Sequence, residues 1–224
     1  DLDALMERTK SRPIPMGRIS VTNAFVLGVI LTIMGLTILY SINTCTAIFA
    51  AISIFIYTSL YTPLKQKTSL SVLAGAIPGA IPFMLGWIAY TGRFDLEPGI
   101  LFMMQFFWQF PHFWAIAWFS DKDYKRAGFK MLPTGRKDKG SALQIIGYIF
   151  WTILICILPL TSHSGNLQLS VYAALLIGII GLIFLLYGFK LFKYQTDNDA
   201  KKLMFISILY LTSMQLIYVI DKFI

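Results

Sequence analysis

The chain has 224 residues, of which 57% are hydrophobic and only 13% charged, and its mean hydropathy is +0.68. Soluble globular domains carry about 25% charged residues, so an ordinary water-soluble fold is excluded. The net charge of +8 sits in short loops between apolar segments, which argues against nucleic acid and for anionic lipid or an anionic substrate.

A charged opening segment, residues 1–21, precedes the first apolar run. Seven such runs follow, at about 22–40, 44–62, 71–90, 98–119, 143–161, 169–189 and 203–220. Each approaches the roughly 20 residues that cross a bilayer as a helix. Helices satisfy their own backbone groups in lipid, and the strand alternation of a barrel is absent. The expectation is an all-α, polytopic transmembrane helical bundle with seven visible spans, forming one membrane domain over residues 1–224. The longest polar loop, about 120–142, is too short to hold a core of its own.

All of the 19 cations except Arg93 and Lys222 fall in segments 1–21, 63–70, 120–142 and 190–202. Alternate loops of a seven-span chain share one side, and cations concentrate on the cytoplasmic side. Those four segments are therefore expected in the cytoplasm, with the C-terminus outside. Cys45 and Cys156 lie in or beside apolar runs and are read as small buried apolar residues, not as a disulfide or metal pair. His163, in an outer loop, is read as an ordinary surface residue.

Carboxylates share two of the basic loops: Asp1, Asp3 and Glu7 in one, Asp121, Asp123 and Asp138 in the other. Solvated ion pairs would explain them at little energetic consequence. Residues two apart do not share a helical face, so Asp1 and Asp3 make a poor chelating pair by themselves. Inside the fourth span, Gln105, Gln109 and His112 follow i, i+4, i+7 spacing and form one polar stripe, with Trp108 on the neighbouring face. Polar groups at membrane depth are costly and mark function, although a histidine there also serves as a hydrogen bond to a neighbouring helix. Gly75 and Gly79 form a small-xxx-small pair suited to close helix packing. Pro78 and Pro82 beside them are expected to interrupt the helix and open a cavity.

The opening DLDALMERTKSRPIPMG closely resembles the first signature of the protoheme IX farnesyltransferases, within the wider family of intramembrane aromatic prenyltransferases. That signature is N-x-x-x-D-x-x-x-D followed by M-x-R-T-x-x-R-P. Asp3 matches its last aspartate, and Met6, Arg8, Thr9, Arg12 and Pro13 match its tail. YTPLKQKT (61–68), GAIPGAIPFMLGWIA (75–89), WQFPHFWAIAW (108–118) and DYKRAGFKMLP (123–133) resemble further family stretches in the same order. Lys130 departs from the usual proline, and Asp121 and Asp123 stand two apart where the wider family has aspartates four apart. The family has nine helices, so two are expected ahead of the first motif, and the chain is expected to start inside that motif.

The resemblance implies transfer of the farnesyl group of farnesyl diphosphate to a vinyl group of protoheme IX (heme B), giving heme O and diphosphate. It implies Mg²⁺ held by Asp3 and Asp123, because a departing diphosphate needs its charge neutralised by hard oxygen-bound cations. Asp3, Asp123 and Lys65 are the candidate catalytic residues. Arg8, Arg12 and Arg126 are candidate phosphate clamps, arginine being suited to bidentate contact. Tyr61 and Lys65, four apart, are expected to point at one spot, with Pro63 between them as a distortion. Lys67, Lys125 and Lys137 are read as membrane-side anchors. Trp108, Gln109 and His112 are candidate substrate-binding residues, with His112 as the heme contact, through either the iron or a propionate. The implied setting is the cell inner membrane, a bacterial plasma membrane before a mitochondrial one, with the acidic motifs facing the cytoplasm and heme-pathway enzymes as candidate partners. The alternatives are a prenyltransferase for a quinone precursor, which the Trp-Gln-x-Pro-His-Phe-Trp stretch disfavours, and a transporter or scaffold, which leaves the acidic loops unexplained.

Overall fold

The computed structural model describes residues 2–223, and among them helix is the only regular structure. Asp1, part of the acidic opening, lies outside the described residues. The helices are α1 (Val21–Ile42), α2 (Thr44–Leu64), α3 (Ser71–Thr91), α4 (Leu96–Phe119), the short α5 (Asp121–Arg126), α6 (Lys139–Ile157), α7 (Val171–Tyr194) and α8 (Asp197–Asp221). Six of them are long and apolar enough to cross a membrane. The fourth expected span, α4, has the length, 24 residues, but Glu97, Gln105, Gln109 and His112 dilute its apolar character. Its position explains the difference. It packs against α3, α6 and α8, so protein and not lipid surrounds those polar groups.

The core forms where α4 meets its neighbours, around Met104, Trp108, Phe110, Trp114 and Trp118, with Ile145 and Ile149 of α6, Phe184 of α7 and Tyr210 of α8. Helix α2 joins this body through α3, and α1 packs on α2 without burying any residue of its own. Apolar side chains cover the outer faces, as a bilayer solvent allows.

Contacts between loops place the four basic segments at one end. Arg8 reaches Tyr124, the Lys130 amide donates to the Lys65 carbonyl at 3.0 Å, and Lys137 pairs with Asp197 at 2.6 Å. At the other end Asn43 does double duty. Its Oδ1 caps α2 by accepting from the Thr46 amide, while its Nδ2 donates to the carbonyls of Ile88 and Ala89. Those carbonyls belong to the last turn of α3, where backbone donors become scarce; Ile88 also accepts from the Gly92 amide at 2.8 Å. Both cysteines are free thiols, Cys156 fully buried in α6, and His163 is exposed.

Two helices are locally reshaped beside the site. The stretch Ile56–Tyr61 of α2 winds as a π turn, in which the Thr62 amide reaches back five residues to the Tyr57 carbonyl. Pro63, just beyond, has no N–H to donate, and the wider turn places Tyr57 and Tyr61 together with ring centres 5.1 Å apart. Contrary to expectation, Pro78 and Pro82 do not interrupt α3. Pro82 cannot donate to the Pro78 carbonyl, and Ser53 Oγ of α2 donates there instead, at 3.1 Å.

Candidate active site

Two adjoining cavities occupy the angle between α2, α3 and α4. The first, about 370 Å³, opens at the basic end and is lined by Asp3, Arg8, Arg12, Tyr57, Tyr61, Lys65, Phe113, Tyr124, Phe129 and Met131, among others. The second, about 390 Å³, runs deeper between the helices and is walled by Ser53, Ile54, Thr58, Val72, Gly75, Pro78, Gly79 and Gln109. Tyr57, Tyr61, Phe113 and Met131 line both. A cation-rich mouth therefore leads past aromatic rings into a mainly apolar interior.

Each part of the mouth has a local cause. Asp3 sits in the single helical turn Leu2–Leu5, where its carboxylate accepts from Arg12 Nη1 at 2.9 Å and its carbonyl accepts from Thr9 Oγ1 at 2.7 Å. The second contact folds the opening segment back on itself. Arg8 Nη2 donates to the Tyr124 hydroxyl at 3.2 Å, fastening that segment to α5. Helix α5 ends when the Phe129 amide bonds back to the Tyr124 carbonyl, with Gly128 between at φ +72°. A left-handed residue at that position favours glycine, and the reversal sends Phe129 onto the cavity wall. Lys65 lies with its Nζ 4.2 Å from the Tyr61 ring centre and 5.9 Å from that of Phe129. It forms no ion pair among the described residues, and burial holds its pKa below the usual lysine value.

The structure separates the remaining predicted residues. Asp123 and Arg126 pair with each other at 3.6 Å and line neither cavity; Tyr124 is the residue that α5 turns inward. Asp121 pairs with Lys125 at 2.8 Å and lines a smaller neighbouring cavity of about 110 Å³. Gln109 faces α3, while Trp108 and His112 face α8. There the Trp108 indole donates to the Ser207 carbonyl at 2.7 Å, and His112 Nδ1 lies 2.8 Å from Ser207 Oγ. Ser207 Oγ gives its only proton to the Met204 carbonyl at 2.6 Å. His112 must then donate through Nδ1, which leaves the lone pair on Nε2. The polar stripe is thus split between two neighbours, and His112 and Trp108 tie α4 to α8 outside the two cavities. Gly75 and Gly79 do not pack one common helix. A Cβ at Gly75 would come 2.7 Å from the Tyr61 ring, and one at Gly79 would come 2.1 Å from Gln109 Oε1.

Residues 1–209 match the model of the UbiA prenyltransferase family. The chain belongs to that family. It is 57% identical over 224 residues to the protoheme IX farnesyltransferase of Christiangramia forsetii, covering 100% of this chain and 75% of the relative. The protein of the same name from Flavobacterium psychrophilum is 57% identical over 223 residues, covering 100% of this chain and 74% of the relative. That of Flavobacterium johnsoniae is 52% identical over the same length and shares. No solved structure matches the chain.

Within this UbiA-family site, Tyr57, Phe113, Tyr124, Phe129 and Met131 were not among the residues singled out from the sequence. Tyr57, four before Tyr61, carried a spacing signal, while Tyr124, Phe129 and Met131 lie in the 123–133 stretch and Phe113 in the 108–118 stretch, so their positions were marked but their direction was not. Ser207, the anchor of Trp108 and His112, carried no signal. As for metal, no group of three His, Cys, Asp or Glu among the described residues could hold an ion. Among the described residues, Asp3 is the one carboxylate on the mouth and is already paired with Arg12, while Asp123 is turned away. The described donors alone do not fit a magnesium centre.

Proposed function

We propose that this chain transfers the farnesyl group of farnesyl diphosphate to a vinyl group of protoheme IX, giving heme O and diphosphate. The observation that carries the reading is the joined pair of cavities. Arg8, Arg12 and Lys65 at the mouth suit a diphosphate, and the apolar interior suits a fifteen-carbon tail. The names of the bacterial relatives support the same acceptor and donor.

In this mechanism the C1–O bond of the donor breaks and its electron pair leaves with diphosphate. The cations at the mouth, already placed, stabilise charge that grows on the leaving oxygen. The aromatic and apolar walls keep water from the allylic cation. The vinyl π pair of heme then forms the new bond to C1, and positive charge moves to the carbon beside the pyrrole. Water adds at that carbon and loses a proton, completing the hydroxyethylfarnesyl side chain.

Magnesium belongs to this reading as a separate proposal. Mg²⁺ keeps waters and takes phosphate oxygens in preference to an all-protein cage, so its requirement is a property of the donor complex. The basic end is assigned to the cytoplasmic side of a bacterial inner membrane by its cations, and heme-pathway enzymes are the expected neighbours. The test is heme O formation, read by mass spectrometry, from heme B and farnesyl diphosphate by nanodisc-held protein with and without Mg²⁺. Heme O that disappears in Lys65→Met supports the reading. A folded protein that leaves farnesyl diphosphate unconsumed under both conditions contradicts it.

A further inference from the structure

The side-chain amide of Gln109 is held in one orientation. Its Nε2 donates to the Ala76 carbonyl at 3.1 Å and to the Gln105 carbonyl at 3.3 Å. Carbonyl oxygens only accept, so nitrogen must be the atom against them and the amide cannot flip. Oε1 is thereby turned onto Gly79, in the space a Cβ would fill, on the wall of the deeper cavity. Among the described residues, no N–H or O–H donates to it. Gln109 is only 2% exposed, and a fixed dipole is strongest in such low-dielectric surroundings.

Two residues of α2 that line the same cavity are constrained likewise. Ser53 Oγ spends its proton on the Pro78 carbonyl at 3.1 Å, and Thr58 Oγ1 donates to the Ile54 carbonyl at 2.8 Å. Both hydroxyls are left with lone pairs and no proton to offer. The rings of Tyr57, Tyr61 and Phe113 add π faces, which attract cations; the tyrosine hydroxyls are the donors that remain. The cavity is therefore lined with electron-rich groups, yet among the described residues no carboxylate lines it. Such a wall suits a positive charge that must not be trapped as a covalent adduct or an ion pair.

We propose that Gln109 Oε1, seated by Gly79 in a cavity that Ser53 and Thr58 also line, stabilises the allylic cation formed when the C1–O bond of the prenyl diphosphate breaks. The electron pair departs with diphosphate, the positive charge spreads over the allylic carbons, and Gln109 neither takes nor gives a proton. This inference rests on the farnesyl-transfer reading above.

The test uses the full chain in nanodiscs with farnesyl diphosphate and heme B. Gln109→Met keeps the length and removes the dipole; Gly79→Ala favours the helix intrinsically and pushes the same oxygen away from the opposite side. In each, kcat is expected to fall about a hundredfold, with the KM for farnesyl diphosphate within twofold of the parent. The rate penalty on substituting 2-fluorofarnesyl diphosphate, which reads positive charge in the allyl group, is expected to grow. An active parent with kcat kept within threefold in both variants overturns the proposal, as does a loss confined to KM. If Gln109→Met does not fold, Gly79→Ala decides alone by the same criteria. A parent that makes no heme O sinks the transfer reading itself, a result separate from either outcome.

Discussion

Lys65 Nζ lies 4.2 Å from the centre of the Tyr61 ring, one turn earlier in the chain, and pairs with no carboxylate among the described residues. The ring attracts the ammonium, and burial lowers its pKa from 10.5, opposed in part by Asp3. A lowered pKa means that the charge is present at neutral pH and is lost on the alkaline side sooner than for a free lysine. The kcat/KM for farnesyl diphosphate is accordingly expected to fall as pH rises, beginning below 10.5. Lys65→Arg, which stays charged, should move that limb to higher pH, and a pH–rate profile of both proteins checks it.

The mouth distinguishes two arginines that look equivalent in the sequence. Arg12 lines it, whereas Arg126 is paired with Asp123 away from it. Loss of a charge-assisted contact to diphosphate corresponds to about a tenfold or greater rise in KM. Arg12→Ala is expected to show that rise, and Arg126→Ala less than a twofold change. Steady-state kinetics at fixed heme separates them.

Trp108 and His112 meet Ser207 and not the cavities. Trp108→Phe removes one buried hydrogen bond and should lower stability by about 1 kcal/mol. The KM for farnesyl diphosphate should stay unchanged. Thermal unfolding in detergent, read beside the kinetics, tests this division of labour; a large KM effect with no loss of stability would contradict it.

Asp138 caps α6, its Oδ1 accepting from the Ser141 amide at 2.8 Å and from Thr134 Oγ1 at 2.9 Å, while Oδ2 takes Arg136. These donors, the Ser141 amide foremost, pull its pKa from 3.8 down to about 2. A carboxyl depressed by folding stabilises the protein above its unfolded pKa, and that contribution fades as pH falls through the folded value. Melting temperatures are therefore expected to drop between pH 4 and 2 in the parent. Asp138→Asn, still able to cap but unable to titrate, should flatten that part of the profile.

The fold was largely open to reading because a bilayer leaves few alternatives. Long apolar runs must be helices, and cations must gather at their ends. Helix α1, none of whose residues is buried, reads as an apolar run on every side. Helix α4 was harder, because a helix enclosed by others on several sides has no uniform face. Gln109 and His112 lie close on its surface, yet the boundary between α3 and α8 passes between them. Spacing likewise gave Asp123 a face but not a direction: the turn at Ser120 aims Tyr124 inward and leaves Asp123 with Arg126. Arg8, Arg12, Tyr61 and Lys65 converge on one mouth. Contacts such as His112 to Ser207, 95 positions apart, depend on how helices pack and leave no local trace.

The central claim is that the cationic mouth and the apolar interior form one site for one prenyl diphosphate. The most direct measurement is photolabelling by a farnesyl diphosphate analogue with a diazirine in its prenyl chain, with labelled peptides mapped by mass spectrometry. Labels are expected on α2 and α3 around Ile54, Thr58, Val72 and Pro78, suppressed by excess farnesyl diphosphate. Suppressible labels instead around Trp87, Leu101 and Met214, which line a separate cavity of about 420 Å³ at the other end of the bundle, would contradict it.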